Sequence, residues 1–174
     1  MSDMKKRDAG KTIQEKANVL WDVANSLAGL YKPHEYGLVI LPMAVVKRFH
    51  DCLLPTYAKV QKEFQAKKHL QVREAFLRKA SGYNFYNTSK FTFETLLADA
   101  KNIGANLRDY LNGFSDNVRD VLEQMKFEDQ IATMEKGGVL YQVISDFNSS
   151  KADMSPDKVA TNDMGYIFEN LVAR

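Results

Sequence analysis

The chain has 174 residues, 45% of them hydrophobic and 26% charged, with a formal net charge of +2. That composition excludes a disordered or collagen-like chain, and a domain of this length buries roughly 70% of its unfolded surface. Its one cysteine, Cys52, cannot close an intrachain disulfide, which excludes a disulfide scaffold and suits the reducing environment of the cytoplasm.

Glycine (9) and proline (4) are scarce, so the punctuation a many-turned β-sandwich needs is missing. The expected class is mainly α, a multi-helix bundle with one long aromatic loop and little or no β. Residues 1–11 read as a disordered basic tail, 12–147 as the bundle and 148–157 as a polar, exposed linker. The segment 158–174 reads as a further helix. No apolar signal core follows the charged N-terminus, and the apolar run Leu38 to Val46 is far short of the roughly 20 residues that span a bilayer, so no membrane contact is expected.

In chain order, Ile13, Ala17, Leu20, Trp21, Ala24, Leu27 and Tyr31 recur at three- and four-residue steps, the stripe of an amphipathic helix that Gly29 and Lys32-Pro33 stop. Val39, Met43, Val46, Phe49 and Leu53 continue at helical steps across Pro42. Proline inside a helix costs about 3 kcal/mol, so tertiary packing must outweigh it. Pro42 is therefore expected to kink one apolar helix; the alternative is that it begins a helix after an extended Gly37 to Leu41. A third helix carries Tyr57, Val60 and Phe64, and another follows around Val72, Phe76 and Ala80.

The stretch GYNFYNTSKFTF, Gly82 to Phe93, has no helical period and reads as the long loop. Thr92 then caps a helix through Ala100, a short helix runs from Ala105 to Leu111 and stops at Gly113, and Ser115 caps the stripe of Val118, Val121, Leu122 and Met125. Two more helices, Glu128 to Glu135 and Val139 to Phe147, are parted by Gly137-Gly138. The final stripe of Met164, Ile167, Phe168, Leu171 and Val172 reaches Arg174 without a stop signal, which suggests a chain cut from a longer protein.

Charge is unevenly spread. Residues 1–90 carry 16 Lys/Arg against 8 Asp/Glu, and residues 91–174 carry 8 against 14. This fits a basic surface for phosphates beside an acidic one, or two faces that pair with each other. His34, His50, His69 and Cys52 have no metal-site spacing, and the chain has no phosphate loop, dinucleotide turn or nucleophile elbow, so no catalytic, cofactor or metal residue is assigned. Lys47 and Arg48, after the proline, and Lys90, among the rings of the loop, are the candidate DNA contacts. Against that, Lys47 has the spacing to pair with Asp51 one turn later, and the rings have the bulk to plug the loop into the core.

Four segments, LWDVANSLAGLYKPHEYGLVILPMAVVKRFHD, FYNTSKFTFETLL, FSDNVRDVLEQMKF and NDMGYIFENLV, occur in the order found in one family. Together they resemble the N-terminal helical domain of the modification subunit of type I restriction-modification systems, from about Leu20 to Val172. The resemblance implies a component of a DNA methyltransferase that uses S-adenosylmethionine to methylate the N6 atom of adenine. It implies double-stranded DNA, a specificity subunit, a second modification subunit and a restriction subunit as partners. The glycine-containing cofactor motif and the Asn-Pro-Pro-aromatic motif of that family are not in this sequence and would follow Arg174. The chain alone is therefore expected to be inactive and to hold no cofactor.

Overall fold

A computed structural model describes the backbone of residues 3–172 and the side chains of 13–167 and 169. Among these residues the chain is helical with no strand or sheet: α1 (Asp3–Asp22), α2 (Ala24–Leu27), α3 (Gly37–Leu53), α4 (Tyr57–Ala66), α5 (Glu74–Ser81), α6 (Phe93–Leu97), α7 (Ile103–Asn112), α8 (Asp116–Gln124), α9 (Phe127–Lys136), α10 (Leu140–Phe147) and α11 (Thr161–Val172). The first helix starts at Asp3, through residues expected as a disordered tail, and it breaks at Val23 instead of running on to Tyr31. Gly29, at φ +91°, makes the left-handed turn that follows α2.

Helix α3 is the axis of the bundle and packs against α1, α9, α10 and α11. Its stripe residues Val39, Met43 and Val46 are fully buried, as are Ile40 and Ala44 on either side. Such burial answers how Pro42 is tolerated. The ring is buried in the sixth position of a helix that continues to Leu53, so the reading in which the helix begins at Pro42 does not hold. Leu38, whose carbonyl loses its usual donor to the proline, is half exposed, so the freed acceptor lies on a residue that water reaches.

One large core links α1 to α3 and α6 to α11, with Phe93, Phe114, Phe127 and Phe147 among its largest buried side chains. Helices α4 and α5 form a separate hairpin with a small core of its own, Val60, Leu77 and Ala80, flanked by Phe64 and Tyr86.

The aromatic loop between α5 and α6 is fastened to the turn between α7 and α8. Thr88 N–H donates to Gly113 O at 2.9 Å, Ser115 N–H to Tyr86 O at 2.9 Å, and the buried Asn87 amide to Tyr110 O at 2.9 Å. Ser115 is the N-cap of α8, yet its hydroxyl serves the loop: it accepts from Tyr86 N–H and donates to Asn117 Oδ1 at 2.6 Å. Phe85 packs on Phe49 with ring centres 4.6 Å apart, and Phe93 is wholly buried, so the rings do plug the loop into the core.

Gly113 sits where the loop and turn meet. A Cβ there would lie 2.5 Å from Asn87 Oδ1 and 2.6 Å from Ser89 N, and a backbone nitrogen tied into the loop has little freedom to retreat. Gly113→Ala is therefore expected to destabilise the chain by about 1–3 kcal/mol, the usual cost of overpacking, read as a lower urea midpoint. An unchanged midpoint would show that the loop and turn are not held at this distance.

Candidate functional site

The turn of α3 that follows Pro42 carries Lys47, Arg48, His50 and Asp51, three of them buried. Lys47, expected at a DNA-facing surface, is 4% exposed and its Nζ lies 2.5 Å from Asp51 Oδ2. The spacing of four residues places both side chains on one helix face, so the pair forms within α3. The ammonium also lies 5.9 Å from the centre of the Phe93 ring, inside the range of a cation–π contact.

Asp51 gathers three donors from two elements, α3 and the segment after α10. Oδ2 accepts from Lys47 and, at 2.7 Å, from the Met154 N–H, while Oδ1 is 2.8 Å from His50 Nδ1. The other nitrogen of His50, Nε2, accepts the Phe93 N–H at 3.2 Å. A backbone N–H only donates, so the lone pair is on Nε2 and Nδ1 carries the hydrogen given to Asp51. His50 is thereby a bridge between α3 and the start of α6. Burial pushes the Asp51 carboxyl up, but the bond from His50, the charge and bond of Lys47 and the Met154 N–H outweigh it and hold the group below its ordinary value.

Arg48 is also turned inward. Its Nη1 donates to Met154 O at 2.8 Å and to Val159 O at 2.6 Å. From α1, Lys16 Nζ donates to Lys151 O at 3.0 Å. The segment after α10, expected as an exposed linker, is in fact a strap pinned at three points, with Ala152, Met154 and Val159 buried beneath it. Polar composition hides those few apolar anchors, and the carbonyls of a docked strap need donors, which Arg48 and Lys16 supply.

Lys90 is exposed, with its Nζ 5.2 Å from the Phe91 ring centre, and stands apart from this cluster. Cys52 is buried and burial pushes its thiol up, away from the thiolate a nucleophile requires. Among the described residues no group of His, Cys, Asp and Glu has the arrangement of a metal site, and no helix is long and apolar enough to cross a membrane.

Positive charge is dense on the α4–α5 hairpin, where residues 57–81 carry seven Lys/Arg against two Asp/Glu. Lys59, Lys62, Lys68, Arg78 and Lys79 are exposed there. On the opposite charge balance, α8 and α9 border an open cavity of about 380 Å³ lined by Asp116, Asp120, Glu123 and Glu128, with Arg119 paired to Asp116, and by the apolar Leu122, Phe127 and Ile131.

The HsdM N-terminal domain family matches the chain over residues 16–147, about three quarters of its length. The chain belongs to that family: it is an N-terminal domain of a type I restriction-modification modification subunit. The curated proteins and the solved structures give no match.

Two outcomes test the clasp. Asp51→Ala leaves Lys47 buried and unpaired, and a loss of about 3–5 kcal/mol is expected in urea unfolding. Because the folded carboxyl is depressed, its stabilisation is fully present above the unfolded value near pH 4 and is lost as pH falls through the folded value. Asp51→Asn should flatten that acid limb, and an unchanged acid midpoint would show that the carboxylate is not the group being titrated. Arg48→Ala should release the strap and speed proteolytic cleavage within 148–159 at unchanged global helicity. Equal cleavage rates would mean that Arg48 does not hold it.

Proposed function

We propose that the chain is the DNA-holding and subunit-docking region of an S-adenosylmethionine-dependent DNA adenine N6-methyltransferase subunit, with the chemistry supplied by a catalytic domain beyond this segment. Family membership supports the modification-subunit setting, and the observation that carries the DNA-holding role is the separation of charge in space. Cations crowd the exposed α4–α5 hairpin, and carboxylates rim the α8–α9 cavity. A duplex is a dense line of phosphates, and a surface with several unpaired cations binds it by releasing counterions.

The α8–α9 cavity favours a second role for a different face. Its apolar floor and acidic rim suit a basic, amphipathic segment of a protein partner, with the specificity subunit and a second modification subunit as the candidates in this family setting. The restriction subunit would join through the assembled complex. Neither role requires a cofactor on this domain.

The burial of Lys47 and the inward bonds of Arg48 change which variants are informative. Their reversal to Glu would break the clasp and unfold the chain before it reported on DNA. The direct test is the affinity of the 174-residue chain for random-sequence duplex across a salt series. A log-log slope equivalent to several phosphates is expected, at roughly 0.9 per phosphate neutralised. Negligible binding at every salt concentration would overturn the DNA-holding role.

A further inference from the structure

Resting on that reading, we infer that the α4–α5 hairpin, with the bend between its helices, is the element that lies along the duplex backbone, independently of base sequence. On α4, Lys59 and Lys62 are three residues apart and lie on the face turned away from the buried Val60. On α5, Arg78 and Lys79 lie away from the buried Leu77 and Ala80. The bend adds the exposed Lys68 and His69. None of these lysines and arginines has a carboxylate at ion-pair distance among the described residues, unlike Lys47, Arg108 and Arg119.

Two further cations are held in place by rings rather than by carboxylates. The Arg73 guanidinium lies 4.1 Å from the centre of Phe64, and the Lys67 ammonium 4.8 Å from that of Phe76. Arg73 Nη1 is buried with no acceptor among the described residues, so that nitrogen does not itself face solvent. A ring orders a cation without neutralising it, so the Lys67 ammonium over Phe76 keeps its charge for a phosphate. At the bend Val72 is 75% exposed and Phe76 43%, so this end of the hairpin also offers apolar surface beside the cations. The separate small core lets the hairpin present these groups without disturbing the main bundle.

The acceptors are phosphate oxygens and not base edges. The hairpin's cations are mostly lysines on flexible stems, which act as point charges, and its exposed amides are two, Gln65 on α4 and Gln71 in the bend, with none on α5. Binding should therefore be alike on unrelated duplexes.

The test compares the 174-residue chain with a triple variant Lys62→Glu, Lys68→Glu, Lys79→Glu and with a control triple Lys32→Glu, Lys101→Glu, Lys136→Glu. All six positions are exposed, so folding is checked by circular dichroism and is expected to hold. Both triples change net charge equally, and affinity is read on two unrelated duplexes across a salt series. The hairpin triple should lower the log-log slope by about 2.7 and the control triple should change it little. Equal losses in the two triples would overturn the assignment, since net charge alone would then explain binding. Binding by the hairpin triple that matches the unsubstituted chain would overturn the hairpin while leaving DNA contact by the domain intact. No binding by the unsubstituted chain would overturn both.

Discussion

The carboxylate of Asp51 is the point on which the arrangement depends. It is buried, so its charge is stable only because three donors from two elements converge on it: the Lys47 ammonium and His50 ring of α3 and the Met154 N–H of the strap. Through His50 Nε2 the same network reaches the backbone at the start of α6. A buried charge pair is not itself strong evidence of added stability, because desolvation offsets most of the attraction. Its visible effect is geometric: Asp51 ties the strap to α3 at the Met154 N–H, and Arg48 donates to two carbonyls of the same strap.

This constraint also decides which cations face solvent. The turn after Pro42 has a basic look in the sequence, but its charge is used internally to fasten the C-terminal part of the bundle. The hairpin, which has a small core of its own apart from the main one, holds a dense group of the lysines that do face solvent. The main bundle thus neutralises the cations after Pro42 internally, while the hairpin keeps exposed lysines and a small core of its own.

Much of the fold was legible from the spacing of apolar residues. The stripe of α3, the spans of α8, α9 and α10 and the aperiodic aromatic loop stand close to where the sequence put them, although Val121 of the α8 stripe is exposed, and Pro42 lies inside a helix apolar enough to hold it. The Lys47–Asp51 pair was also legible as a possibility from its spacing of four. What spacing does not carry is burial, which is set by elements far along the chain. Met154 lies 103 residues from Asp51, and Met154 and Val159 supply the carbonyls that turn Arg48 inward. The strap was obscured because a segment rich in Ser, Asn and Asp looks solvated, whereas two apolar residues, Ala152 and Met154, suffice to dock it once donors meet its backbone. The hairpin's charge was visible as a density of lysine along the sequence, but its freedom from ion pairs is a property of three dimensions.

Native-state hydrogen exchange of the Met154 and Phe93 amides tests the central claim most directly, since both N–H groups donate to the buried network and to nothing else given by local structure. If the clasp organises the domain, both amides should open only with the global unfolding free energy and should lose that protection together in Asp51→Asn. Exchange of Met154 at the rate of an open, solvated segment, with Phe93 protected on its own, would contradict it and return the segment after α10 to the status of a free linker.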